Sequence, residues 1–289
     1  MTSFAVRPVS TAEDEIQRGE RFAFGRNWAA FLATLNEQRI QQAEASLREM
    51  LEVERLDGRS FLDIGSGSGL FSLAARRLGA RVRSFDFDPQ SVACTQELRR
   101  RYFSNDPHWV VEQGSALDKD FLKSLGTWDV VYSWGVLHHT GAMWEALENA
   151  AALPGPGGQL YIALYNDEGF RSKMWTRVKR IYCGSLAGRA AMSLMFVPWA
   201  MLRAAARRVL LGPRTDARSR GMSAWYDCFD WLGGYPFEVA KPEQVLRFYR
   251  QRGYTLETLQ TTNRLGCNQF VFRRSGGAPP TAPNSSHAS

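Results

Sequence analysis

At 289 residues, 44% hydrophobic and 22% charged, the chain has enough apolar material for one large domain or two small ones, which excludes a wholly disordered protein. Its four cysteines, Cys94, Cys183, Cys228 and Cys267, show no CxxC or Cys/His spacing. That argues against a disulfide framework and against a metal site, and suits a reducing cytosol. The formal charge of +7 is uneven: Arg171 to Arg220 holds twelve Lys/Arg against one acid, Asp216, so the remainder is net acidic.

The opening stretch MTSFAVRPVSTAEDEIQRGE has no apolar core and carries acids, and so does not read as a secretory signal. Residues 20–51 are expected to be helical, because Phe22, Phe24, Trp28, Phe31, Leu32, Leu35, Ile40, Leu47 and Leu51 recur at three- and four-residue steps. From residue 59, short apolar runs alternate with helical patterns. SFLDI precedes the helix LFSLAARRL, and RVRSF precedes a helix opened by Asp88 as N-cap and Pro89. WVVEQ leads to a short helix near residues 118–125, WDVVYSW to MWEALENAAAL, and the turn PGPGG to QLYIALY. Five such units predict a parallel sheet with helices on both faces. PEQVLRFYRQRG then reads as a helix, and YTLETLQ and NQFVFRR as a hairpin. The expected layout is a helical cap over 1–58, an α/β domain over 59–274 with a helical insertion at 166–240, and a disordered Pro/Ser/Gly-rich tail at 275–289.

The stretch FLDIGSGSG places Gly65, Gly67 and Gly69 after a buried strand. A dinucleotide loop wants G-x-G-x-x-G, but Leu70 stands where its third glycine belongs. Asp63, two residues before Gly65, would crowd a pyrophosphate, and such like-charge contact costs several kcal/mol. The same carboxylate attracts a ligand carrying an ammonium and a sulfonium. Asp86 lies 21 residues after Gly65, at the tip of the second strand, where an acid grips ribose hydroxyls. Both ligand types use such an acid, so it is Asp63 and Leu70 that disfavour a nicotinamide oxidoreductase.

With LDIGSGSG and FDFDP at this spacing, residues 59–165 resemble the class I S-adenosylmethionine-dependent methyltransferases, and are most similar to the group that includes the ubiquinone-biosynthesis O-methyltransferases. The resemblance implies an α/β, Rossmann-like sheet of seven strands, mostly parallel with the last strand antiparallel, and S-adenosyl-L-methionine as cofactor. It implies that Asp63, Gly65, Ser66 and Gly67 line the methionine moiety, Asp86 the ribose, Phe87 the adenine face, and Ser115 and Ala116 the adenine edge. Trp134 and Gly135 would form the wall near the transferable methyl. Ser115 has an alternative as a turn former, and Asp88 reads as a helix cap.

His138 and His139 follow the fourth strand and are candidate general bases, with Asp167, Glu168, Tyr226 and Asp227 as competitors. The [DN]-P-P-[YF] signature of relatives that act on amides does not follow that strand and the Pro-Cys pair of cytosine-C5 enzymes does not occur, which lowers the expectation of DNA-base methylation. The insertion pairs basic residues with apolar ones, in RSKMWTRVKRIY, AAMSLMFVPWAML and RAAARRVLL. The apolar run of residues 190–202 is too short to span a bilayer, which takes about 20 residues. Residues 171–211 fit either an amphipathic hairpin on an anionic membrane or an ordinary helical lid; a nucleic-acid surface is disfavoured. The expected protein is cytoplasmic, peripheral on the inner membrane face in the first case, and methylates a small apolar acceptor, most simply on oxygen. The rivals are a methyltransferase of protein or RNA and a non-catalytic S-adenosylmethionine-binding protein. Neither the acceptor atom nor an oligomeric state follows from the sequence.

Overall fold

The structure is a computed structural model that describes residues 11–22, 24–211 and 231–276. The tail from residue 277 onward, Tyr226 and Asp227 lie outside the described residues. Helix α1 (Ala12–Gln17) opens on a capping box, in which Thr11 accepts the Asp14 amide and Asp14 accepts the Thr11 amide in return. The helical stretch expected over 20–51 holds two helices, α2 (Phe24–Ala33) and α3 (Glu37–Leu51). Asn36 causes the break: its backbone is extended and its Oδ1 accepts the Arg39 amide at 3.0 Å, so the side chain starts a new helix.

The α/β alternation then follows: β1 (Ser60–Ile64), α4 (Leu70–Arg77), β2 (Arg81–Asp86), α5 (Pro89–Tyr102), β3 (Trp109–Gln113), α6 (Lys119–Ser124), β4 (Trp128–Trp134), α7 (Met143–Ala151) and β5 (Pro154–Tyr165). Helices α8 (Phe170–Gly184), α9 (Leu186–Leu211) and α10 (Pro242–Arg250) come next, then β6 (Tyr254–Gln260) and β7 (Cys267–Arg274). The seven strands lie in the order β3-β2-β1-β4-β5-β7-β6. β1 to β5 pair in parallel, and β7 runs antiparallel to both β5 and β6. PGPGG, expected as a turn, is instead the irregular start of β5: Trp128 pairs with Pro154, and the register shifts before Val130 meets Gln159.

Side chains alternate across the sheet with the strand period of two. Phe61, Val130, Tyr132 and Tyr161 pack one face against α3 and α4, with Leu47, Leu73 and Ala74 among their neighbours. Leu62, Val131, Leu160 and Ile162 pack the other face with Ala146 and Leu147 of α7 and Val245 of α10. The strand order reverses between β1 and β4, so the loops beyond their carboxyl ends diverge and leave a crevice. Asn166 and Ala240 form an isolated parallel bridge, so the segment between them leaves and returns at one point beside that crevice.

Candidate active site

The crevice is a cavity of about 450 Å³, within the usual range for a small-molecule pocket. Its floor comes from the tips of β1 and β2. Asp63, Ile64, Gly65, Ser66 and Gly67 contribute from the first, and Asp86, Phe87 and Asp88 from the second. Gly65 holds φ +76°, and a Cβ there would meet Val136 Cγ1 at 2.3 Å, so the glycine loop packs directly on the chain after β4. At Gly67, φ +56°, a Cβ would stand 3.0 Å from the Trp28 indole, which brings α2 over the loop.

Asp86 is an orienting centre. Its Oδ2 accepts the Gly67 amide and its Oδ1 the Asp88 amide, each at 2.9 Å. Each carboxylate oxygen retains a lone pair, so both can still accept ribose hydroxyls. Asp88 is the N-cap of α5, with Oδ1 accepting the Gln90 amide at 2.9 Å, and its Oδ2 accepts the Gly25 amide at 3.0 Å. The helix cap thereby also anchors α2.

Asp63 ends a buried polar chain that sequence reading did not find. The Trp109 indole N–H can only donate, and it donates to Ser84 Oγ at 3.0 Å. Ser84 Oγ lies 2.7 Å from Ser72 Oγ, and Ser72 donates to Asp63 Oδ2 at 2.5 Å. Since Ser72 spends its proton on Asp63, Ser84 must supply the one between the hydroxyls. Three donors in series thus point at one carboxylate. Burial pushes the Asp63 carboxyl up to about 7 despite the Ser72 hydrogen bond, and the Asp86 charge adds to the rise. Burial likewise pushes Asp86 up to about 6, against the two amides that favour its anion. A buried acid, Asp63, and a half-buried one, Asp86, in one cavity call for a cation.

The walls are aromatic. Ser115 and Ala116 line one side; Ser115 Oγ also accepts the Leu117 amide at 3.1 Å, so it makes the turn while facing the cavity. Trp134 and Gly135 line the opposite side with Tyr132, Val136 and Tyr165, and Trp134 Nε1 donates to Gln269 Oε1 at 2.8 Å. Arg21, Phe22, Trp28 and Phe31 from the N-terminal segment and Trp231 from the insertion close the cavity. Arg21 opens the aromatic stretch RFAFGRNWAAFL, which the sequence offers as a helix closing over the pocket. It sits 4.9 Å over the Phe87 ring, pairs with Glu15 and donates to the His139 carbonyl at 3.1 Å.

The two histidines separate. His139 lines the cavity, whereas His138 lies behind the lining, fully buried, with its ring 4.4 Å from that of His139 and 4.1 Å from that of Tyr165. His138 Nδ1 accepts the Tyr165 amide at 3.3 Å, and burial holds this imidazole well below its ordinary pKa. His139 Nδ1 lies 2.5 Å from the Pro236 carbonyl, which can only accept. The proton therefore sits on Nδ1, and Nε2 is the nitrogen that can take another. Burial lowers His139 to about 3, so it is neutral at physiological pH. Asp167 and Glu168 fall outside the lining: Asp167 Oδ1 accepts the Gly169 amide and Glu168 pairs with Arg171.

A family model described as a methyltransferase domain matches residues 35–217. The chain belongs to this methyltransferase domain family. Members of the class I group use S-adenosylmethionine, and the seven-stranded sheet with its antiparallel β7 is the fold of that group. A tRNA U34 carboxymethyltransferase of Methylococcus capsulatus is 34% identical over 115 residues, covering 39% of this chain and 34% of that protein. A ubiquinone biosynthesis O-methyltransferase of Colwellia psychrerythraea is 26% identical over 173 residues, 55% of this chain and 67% of that one. The chain thus spans only about a third of the first relative's length. Among solved structures, the magnesium protoporphyrin IX methyltransferase of Synechocystis with bound SAH superposes with a TM-score of 0.54 at 12% identity, over 90% of this chain and 99% of that one. At that identity the likeness is one of fold. The lining fits the family's cofactor: Asp63, buried, and Asp86, half-buried, set two carboxylates beside the glycine loop, which suits a ligand with an ammonium, a sulfonium and ribose hydroxyls and repels a diphosphate.

Proposed function

We propose that the chain binds S-adenosylmethionine over Asp63, Gly65, Ser66, Gly67, Asp86, Phe87, Ser115, Ala116, Trp134 and Gly135, and methylates a hydroxyl of a small, apolar acceptor. The observation that carries this reading is the joining of two carboxylates, Asp63 and Asp86, and an aromatic, histidine-bearing wall in one cavity. The bound cofactor supplies an electrophilic methyl group on sulfonium. The protein's part is alignment, which can contribute roughly 7–11 kcal/mol of the barrier. Asp63 faces the ammonium end and Asp86 the ribose. Phe22, Trp28, Tyr132, Tyr165 and Trp231 exclude water and present apolar surface to the acceptor. His139 accepts the acceptor's hydroxyl proton at Nε2, while Nδ1 donates to the Pro236 carbonyl and keeps the ring turned to the cavity. His138 acts behind it as a support, not as the base.

The apolar wall favours a metabolite over RNA or a folded protein, although relatives named for tRNA and ribosomal protein methylation share the domain. Cell extract incubated with the protein and methyl-labelled cofactor tests the choice by mass spectrometry. A single small metabolite gaining label is expected. Label confined to RNA or protein would replace the acceptor assignment, and binding of S-adenosylhomocysteine with no labelled product would favour the non-catalytic rival.

A further inference from the structure

Helix α9 is apolar on two faces, and among the described residues only one of them is packed. Its inner side sends Met192, Phe196 and Val197 against Tyr182, Cys183 and Leu232, with the Phe196 ring 5.4 Å from that of Trp175. Its outer side carries Leu186, Leu194 and Leu202 at 81%, 77% and 72% exposure, and Met195 and Trp199 at 54% each. Ala187, Ala190, Ala191 and Pro198 fill the gaps of the same face, all exposed. These positions repeat at three and four residues, which makes one stripe about 24 Å long. A helix covered only by water would not keep such a face.

What surrounds the stripe selects its partner. Residues 170–211 contain nine Lys/Arg and no acid. On α8, Arg171, Lys173, Arg177 and Arg180 are exposed, and Lys173 and Arg177 make no ion pair among the described residues. Arg189 and Arg203 are exposed on α9 itself, with Arg203 lying 5.4 Å over the Trp199 ring. A second copy of the chain would bring like charges together around the stripe. A nucleic acid would satisfy the cations but leave the leucines wet. An anionic lipid surface satisfies both, taking cations at the headgroups and Leu, Met and Trp at the acyl boundary. Among the described residues, no helix is long and apolar enough to cross a membrane.

We infer that the α8–α9 hairpin is a peripheral docking surface for anionic membranes, with the outer face of α9 inserted and the cations of α8 at the headgroups. Trp175 joins this hairpin to the site, since its ring lies 5.3 Å from that of Trp231, a lining residue. Docking therefore sets the cavity wall beside the bilayer. The surface stands whether or not the methyl-transfer reading holds.

Co-sedimentation of the full chain with vesicles tests it, using phosphatidylcholine alone and phosphatidylcholine with roughly a third phosphatidylglycerol, at about 0.1 M salt, where surface attraction still reaches about 10 Å. Binding to the mixed vesicles and not the neutral ones is expected. Lys173→Glu with Arg177→Glu should weaken it by roughly 30-fold or more, about fivefold for each cation lost. Leu194→Glu with Trp199→Glu should weaken it at least about tenfold. Thermal midpoints close to that of the parent protein keep both pairs interpretable as surface changes. The inference is overturned by absence of vesicle binding, by equal binding to both vesicle types, or by binding that survives both variant pairs. Retained RNA, or a dimer that Leu194→Glu with Trp199→Glu dissolves, in a protein that ignores vesicles would assign the surface to that partner instead.

Discussion

The floor and the walls of the cavity are built on different plans. The floor is polar, buried and local in sequence: two loops, residues 63–67 and 86–88, lie on adjacent parallel strands and are tied by the Gly67–Asp86 hydrogen bond. The walls are aromatic and assembled from afar, with Arg21 and Phe22, His139, Tyr165 and Trp231 meeting only in the fold. A floor of this kind suits one fixed cationic ligand, because its geometry follows from strand register. Trp28, Val136 and Arg21 touch the floor at Gly67, Gly65 and Phe87, so under the proposed function acceptor choice falls to the rest of the wall, chiefly His139, Tyr165 and Trp231. Variants that affect one part and spare the other can break that division.

The largest effect is expected at the wall. His139→Asn keeps an amide that can donate to the Pro236 carbonyl and removes the nitrogen equivalent to Nε2. Turnover should fall by about 10²-fold, the lower end for a lost base, because a histidine held near 3 is a weak one. Affinity for S-adenosylhomocysteine should stay within about threefold. Unchanged turnover would remove His139 from the chemistry and return the base to the residues outside the described structure. Next comes the floor. Asp86→Asn should weaken S-adenosylhomocysteine binding by roughly 30- to 100-fold in calorimetry, the cost of one charged hydrogen-bonding partner. Asp63→Asn should weaken it similarly yet raise the thermal midpoint of the free protein, because the burial of this carboxylate outweighs the one hydrogen bond that Ser72 gives it. Binding intact in both variants would end the cationic-nucleoside reading of the floor.

This division also explains what could be read from the sequence. Asp63, the glycines and Asp86 were legible because strand–loop–helix units are local, and their spacing carries the register. The order of elements was legible for the same reason. The break at Asn36 was not, since an asparagine in an apolar-periodic stretch reads as an exposed helical position until its cap hydrogen bond is seen. His138 and His139 are neighbours with the same apparent claim, and only the Pro236 carbonyl, 97 residues away, decides which ring faces the cavity. The Trp109–Ser84–Ser72–Asp63 chain joins three strands and a helix through side chains that individually look like ordinary core residues. Asp63 and Asp86 also have partners inside the protein, which sequence alone could not supply.

A third, smaller effect is the pH dependence of binding at the floor. In the free protein Asp63 is raised to about 7 and Asp86 to about 6, both above the ordinary carboxyl value, and they titrate as a pair. S-adenosylhomocysteine has no sulfonium, but its ammonium and ribose hydroxyls both favour ionised carboxylates, so binding releases protons wherever they are still held. Affinity for S-adenosylhomocysteine should therefore be level above about pH 8 and fall by about tenfold per unit below 7, more steeply below 6. The stability of the free protein has the opposite sign: acids raised in the fold bind more protons folded than unfolded, so their contribution declines as pH rises from about 4 to 7. Calorimetry in buffers of different ionisation enthalpy counts the released protons, and a count of zero at pH 6 would contradict the buried-acid floor.

The smallest effect tests whether the hydrogen-bond chain belongs to the floor or only to the core. Ser84→Ala removes the middle donor. Ser72 remains to serve Asp63, so affinity should fall only about two- to fivefold, while the pH at which binding is lost moves upward because one contributor to the anion is gone. The same change strands the Trp109 indole N–H in the core, which should cost roughly 1–3 kcal/mol of stability. Trp109→Phe added to Ser84→Ala takes away that stranded donor and should recover part of the stability while leaving the pH shift in place. If the double variant restored the pH profile along with the stability, the chain would be packing alone, and the polarity of the floor would rest on Ser72 and the loop amides.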